Sequence, residues 1–113
     1  MQIIRGKVAL DELKKMSEKM YNRLVKAVVD VEKQIMVIDM EMHADGEMFM
    51  LEEGSQQEHL WGINLHPEME DDEFIEFDSV INIRPSQGNR GRGVENKDIQ
   101  KKIRQIVAKW VTK

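Results

Sequence analysis

Cysteine is absent, which removes disulfide frameworks, thiolate-held zinc or iron–sulfur sites and thiol nucleophiles. Proline occurs only twice and the seven glycines are scattered outside one loop, so neither a low-complexity linker nor a repeat array is present. No apolar run approaches the roughly 18 residues that span a bilayer. The opening Met1-Gln2-Ile3-Ile4-Arg5 is not a basic-then-apolar leader. These absences lead us to expect a cytoplasmic protein with no membrane partner. Its 113 residues, 41% of them hydrophobic, suit one compact domain over residues 1–113 rather than a disordered chain.

Basic residues are missing from one stretch altogether. Residues 34–83 carry fourteen acids and no Lys or Arg, whereas residues 84–113 carry nine bases and two acids. Residues 1–33 are mildly basic, with eight bases and five acids. The net charge of −4 conceals this segregation, which bears on partners and intramolecular pairing rather than on fold. Either the basic ends pack beside the acidic middle and neutralise it, or the folded surface keeps separate charged faces.

The apolar spacing alternates between two periods. Gln2 to Arg5 reads as a short edge strand. Leu10, Leu13, Met16, Met20, Tyr21 and Leu24 recur at helical spacing, with Asp11 and Glu12 where the helix dipole favours acids. Val25, Ala27, Val29 and Val31 then alternate with polar residues, as in a strand with one buried face. A reversal at 32–34 leads to a second strand over 35–42. Residues 45–53 combine an Asp-Gly turn signal with strong helix formers. The helix is favoured, with Asp45 as its cap and Gly54 as its stop. Strands are expected over 59–66 and 74–84. The latter places Ile75, Phe77, Ser79, Ile81 and Ile83 inside and Glu76, Asp78, Asn82 and Arg84 outside. Asn96 caps a final helix with Ile99, Ile103, Ile106, Val107 and Trp110 on one stripe. The fold class is α+β: a mainly antiparallel sheet of four to five strands, the N- and C-terminal helices on one face, and a short middle helix.

The loop over residues 84–93, Arg-Pro-Ser-Gln-Gly-Asn-Arg-Gly-Arg-Gly, is the most unusual segment. Its glycines permit close backbone approach, and Arg84, Arg90 and Arg92 are planar donors suited to phosphate or carboxylate. The adjoining helix start adds free N–H groups. Together these point to an anion site, with Gln87 and Asn89 as further loop donors and with Asn64 and Asp78 on neighbouring strands. The alternative is that the arginines fold back onto Glu76 or Asp78 as scaffolding. The loop matches neither a Walker nor a dinucleotide pattern, and a pI near 5.4 is not that of a dedicated nucleic-acid binder.

In the acidic middle, a strand over 35–42 would align Asp39, Glu41 and His43 opposite Met36, Ile38, Met40 and Met42. With His66 and Glu76, such residues could ligate a divalent cation for a hydrolase or nuclease. Their spacing matches no zinc or calcium signature, so a water-facing carboxylate edge is the simpler reading, and no cofactor is expected. No serine sits on a nucleophile elbow, and no catalytic residue is identified. The methionines read as adaptable core filling.

Leu60-Trp61-Gly62-Ile63-Asn64-Leu65, Ile75-Glu76-Phe77-Asp78-Ser79 and Ile81-Asn82-Ile83-Arg84-Pro85, followed by Gln87 and Asn89-Arg90, resemble a small uncharacterised family of bacterial and archaeal proteins, a domain of unknown function. The likeness spans nearly the whole chain, including Val28-Val29-Asp30-Val31-Glu32. It implies a single-domain prokaryotic protein and directs attention to Trp61–Asn64, Asp78 and the arginine loop, without giving them roles. Gly91 stands where the family pattern has a serine.

Three functions follow from these readings. The first is binding of a phosphate-bearing ligand, nucleotide or RNA at the loop. Next comes a protein-interaction or self-assembling module, including a homo-oligomer, built on segregated charged faces. A metal-dependent enzyme is third.

Overall fold

A computed structural model describes residues 1–20 and 22–113. Tyr21, which the sequence places on the first helix's apolar spacing, lies outside the described residues. In chain order the elements are β1 (Gln2–Ile4), β2 (Val8–Ala9), α1 (Leu10–Glu18), β3 (Val25–Asp30), β4 (Ile35–Ile38), α2 (His43–Glu52), β5 (Leu60–Leu65), β6 (Ile75–Glu76), α3 (Lys97–Trp110) and β7 (Val111–Thr112). Five strands form one antiparallel sheet in the order β1-β4-β3-β5-β6. The two short strands β2 and β7 pair in parallel beside it and tie the chain's two ends together. The α+β architecture expected from the periodicity is the one observed.

The helices divide between the two faces of the sheet. Val25, Ala27 and Val29 of β3 and Trp61, Ile63 and Leu65 of β5 share a core with Leu13 of α1 and Ile103, Ile106 and Val107 of α3. On the opposite face Val28, Val37 and Leu60 pack with Met40 and with Met50 of α2. The central strand is therefore covered on both sides, where the alternation of β3 suggested one. Lys26, at the start of β3, is half-buried.

β3 stops at Asp30, and the carboxylate of Asp30 causes the stop. Its Oδ1 accepts the N–H groups of Glu32 and Lys33, each at 2.9 Å, and its Oδ2 accepts the Ser55 hydroxyl at 2.6 Å. This acid is buried and shapes the reversal expected at 32–34. Val31 thereby falls in the turn.

β4 is shorter than predicted. Asp39 adopts φ 67°, a left-handed conformation that breaks the strand after Ile38. The proposed face of Asp39, Glu41 and His43 consequently does not form. Met42, expected inside, is exposed, and His43 is buried at the start of α2. α2 begins two residues before the predicted start, so Asp45 lies in its first turn rather than at its cap. Gly54 (φ 99°) ends the turn that follows it. The helix can lie close to the sheet because of Gly46. A Cβ there would meet Met40 Sδ at 2.5 Å and Val28 Cγ2 at 2.9 Å.

The predicted long strand over 74–84 is also cut short, to Ile75–Glu76. Beyond it the chain forms a single 3-10 turn at Val80–Asn82, and the side chain of Asn82 pairs with β5 in place of a backbone. Its Oδ1 accepts the Gly62 N–H at 2.8 Å, and its Nδ2 donates to Gly62 O at 2.9 Å and to Arg92 O at 2.9 Å. Asn82 and Arg84, expected outside, are therefore buried, while Ile83, expected inside, is exposed. Gly62 permits this arrangement, because a Cβ there would stand 2.6 Å from Ser79.

Replacing Gly46 by Ala raises helix propensity yet pushes a methyl group into Val28. We expect a net loss of about 1–2 kcal/mol, measured by urea unfolding. A stabilised variant would show that α2 does not sit this close to the sheet.

Candidate functional site

The arginine loop is held from within. Arg84 is buried against the outer edge of β5, where its guanidinium donates to Leu60 O at 2.6 Å and to Gln57 O and lies 4.2 Å from the centre of the Trp61 ring. Burial pushes its pKa down, against the opposing pull of Glu47, and it remains a cation. Asn89, also buried, donates through Nδ2 to Asn82 O at 2.7 Å, Gly93 O at 2.8 Å and Gly91 O at 3.1 Å, and accepts the Glu95 N–H at 2.8 Å. Gln87 donates to Glu58 O at 3.1 Å.

The features that suggested an anion site meet anions, or acceptors, of the chain itself. The Glu95 carboxylate accepts the N–H groups of Arg90 and Gly91, filling the concavity that glycine-rich backbone offers to a phosphate. Asn96 Oδ1 takes the Asp98 and Ile99 N–H groups at 2.8 and 3.1 Å, and Asp98 stands in the first turn of α3. Arg92 Nε donates to Asp78 Oδ1 at 2.6 Å in a half-exposed pair, and that carboxylate raises the Arg92 pKa. Arg90 is exposed, and its side chain has no hydrogen bond or ion pair among the described residues.

A second group of residues singled out from the sequence does converge, on the α2 side of the sheet. Lys26, Asn64 and Glu76 are register neighbours across β3, β5 and β6. Asn64 Nδ2 donates to Glu76 Oε1 at 2.9 Å and Asp78 O at 3.3 Å, and His66 Nε2 lies 3.1 Å from the same Glu76 oxygen. Hydrogen bonds from Asn64 and then His66 hold Glu76 below the usual carboxylate range. His43 Nε2 faces Ile63 O at 2.8 Å and so carries the proton. Burial pushes its pKa down, with the Ile63 bond opposing and the charge of Lys26 adding. Glu41 stands apart from this group. Among the described residues no three His, Asp or Glu side chains come together as a metal site.

Sequence reasoning missed a third feature. Between α2 and the start of β1 lies a cavity of about 430 Å³, lined by Met1, Met40, Met48 and Phe49 and rimmed by Glu41, Asp45 and Glu52. Met48 is 64% exposed, with Leu51 of this helix and Met42 just before it also open to solvent. The signal was present in Met48-Phe49-Met50-Leu51. A helix that packs on one face cannot bury four consecutive apolar residues, because they span the whole turn.

The sequence profile of a family described as "Protein of unknown function (DUF5674)" matches residues 2–110. The chain belongs to the DUF5674 family. Its match runs from β1 to the last residue of α3, so the polar group, the arginine loop and every lining residue of the groove but Met1 lie within the DUF5674 region. No curated protein and no solved structure matches the chain. No helix among the described residues is long and apolar enough to cross a membrane.

Because His43 titrates below its ordinary value when folded, the unfolded chain binds more protons over that window. Its contribution to stability is therefore complete above the unfolded imidazole pKa, near 6.5, and declines as pH falls from there toward the folded pKa. We expect the melting temperature to drop between about pH 7.5 and about pH 5, and the drop to shrink in His43→Gln. Glu76 acts separately, losing its contribution only as pH falls below the ordinary carboxylate range. An identical pH profile in His43→Gln would refute the assignment.

Proposed function

We propose that this protein is an interaction module that binds a positively charged, apolar-anchored partner segment on its α2 face. The observation that carries this reading is the methionine-lined groove with three carboxylates and no Lys, Arg or His side chain among its lining residues. Methionine side chains are flexible and polarisable, so such a surface can mould itself to varied apolar anchors. Carboxylates around it select partners of opposite charge and speed encounter.

The charge distribution supports the same reading. α2 carries three acids and no Lys or Arg, whereas α3, on the opposite face of the sheet, carries five bases and one acid. Arg84 offsets Glu47, while Asp45 and Glu52 have no ion pair among the described residues. Self-association through these faces is disfavoured by chemistry: the apolar stripe of α3 is spent in the core through Ile103, Ile106 and Val107, leaving among the described residues no basic helix with large exposed apolar anchors. The partner is then a different protein, offering a helix with cations beside Leu- or Phe-type residues. A cytoplasmic, prokaryotic setting belongs to this proposal; the absence of cysteine agrees with the former, and the family resemblance suggests the latter.

Binding of phosphate, nucleotide or RNA at the loop is a competing reading, favoured by the exposed and unpaired Arg90. Arg84 and the loop's amides are already engaged, so it has less to grip with. A metal-dependent hydrolase has the least support, because Glu41 and His43 do not join His66 and Glu76 in one ligand set.

Backbone amide spectra recorded against two synthetic peptides test the proposal, one a Lys/Leu amphipathic helix and the other a scramble of equal composition. The amphipathic peptide should shift residues 40–52 saturably, weaken with salt, and lose at least about tenfold in affinity when Glu41, Asp45 and Glu52 are changed to Lys. Equal binding of the scramble, or shifts confined to residues 88–93 on adding phosphate, nucleotide or short RNA, would reject it.

A further inference from the structure

On the opposite side of the sheet from α2 lies a second concavity, which the interaction reading does not use. It is formed by the C-terminal half of α3, by β7 and by the segment that enters β6. Its volume is about 330 Å³ and its floor is apolar, with Phe74, Ile75, Val107 and Val111 among its lining residues. The charges on its rim are those of Arg104, Lys113 and Asp71. A concave apolar floor with a few charged groups beside it is the usual form of a small-ligand site, and this volume is at the low end of that range.

The cations of the rim are placed but not spent. Lys113 Nζ lies 5.3 Å from the centre of the Phe74 ring, and the Arg104 guanidinium lies 5.1 Å from that of Phe77. The nearest carboxylate to Arg104 is Asp72, at 3.9 Å, and Asp72 is fully exposed. Such a pair is weak in water, so most of the guanidinium's five donors stay available. Aromatic faces orient both cations without neutralising them.

We propose that this pocket binds a small monocarboxylate with a compact apolar body, of the size of one aromatic ring or a branched aliphatic chain. The body covers the floor, and the carboxylate meets Arg104 and Lys113 at the rim. Asp71 sets the charge of the head group. Two cations line the rim against one lining acid, Asp71, and the Asp72 carboxylate beside Arg104 is fully exposed and screened by water, so a monoanion meets a positive edge. A dianion would crowd Asp71, and a lone ammonium would face both cations.

The test uses the full chain and three probes: 3-phenylpropionate, propionate and phenethylamine. In amide spectra, 3-phenylpropionate should produce saturable shifts in residues 71–75 and 104–113, while propionate lacks the body and phenethylamine lacks the anion, and neither should saturate. Arg104→Gln should weaken 3-phenylpropionate at least tenfold, and Lys113→Gln severalfold, with spectra elsewhere unchanged as the check on folding. Phenethylamine binding as well as 3-phenylpropionate would overturn the proposal. So would the absence of saturable shifts with 3-phenylpropionate, or affinity indifferent to both substitutions. None of these outcomes bears on α2, so this site and the interaction surface stand or fall separately.

Discussion

The outer edge of β5 must have its backbone hydrogen bonds made, and side chains make them. β6 pairs with only two residues of that strand, Asn64 and Leu65. Further along, the Gly62 N–H and C=O are both taken by Asn82, and Leu60 O by Arg84. A buried backbone group without a partner costs roughly 1–3 kcal/mol, so these two side chains do the work of an absent strand. Their needs propagate outward. Asn82 requires Gly62 and Ser79 in close contact, and Arg84 requires the loop to double back through its two backbone bonds with Asn89. Asn89 in turn holds the glycine-rich bend in shape.

That dependence explains what the sequence disclosed and what it concealed. β1, β3, β5, the start of β4, α3 and the short helix at α2 were legible, because they rest on local periodicity and caps, such as Asn96 before α3. By contrast, α1 stops at Glu18, short of the helical spacing that ran to Leu24, and β2 and β7 gave no signal. The loop was misleading for a physical reason. A planar guanidinium that fits a phosphate also fits a pair of carbonyl oxygens, and the amides of a glycine-rich bend donate to a chain carboxylate such as Glu95 as readily as to a foreign anion. Composition cannot distinguish these uses, since the competing acceptors at Gln57, Leu60 and Asp78 are remote in sequence. Alternation likewise failed at Asn82 and Arg84, where pattern puts polar side chains in water and the edge of β5 draws them inside. At Asp39 it failed because one left-handed residue reverses every side chain after it.

With the loop spent on structure, the features still available to other molecules lie on the two faces of the sheet, and they differ in kind. One bears methionine and carboxylate around α2, the other lysine and arginine around α3. The sheet separates these two helices, so they keep opposite charges, while Arg92 with Asp78 and Arg104 with Asp72 join the basic end to the acidic middle elsewhere. The β3–β4 turn, anchored by Asp30 and Ser55, stabilises the sheet that keeps the faces apart. The two proposed sites therefore call for ligands of opposite charge, one on each face.

Native-state hydrogen exchange at the Gly62 amide is the most direct test of the side-chain-completed edge. That N–H faces no strand, yet its bond to Asn82 should make it exchange only with global unfolding, at the protection of the central β3 amides. Rapid exchange at Gly62, at the rate of an open sheet edge while β3 stays protected, would mean that the edge is not closed and that the loop is free for other use.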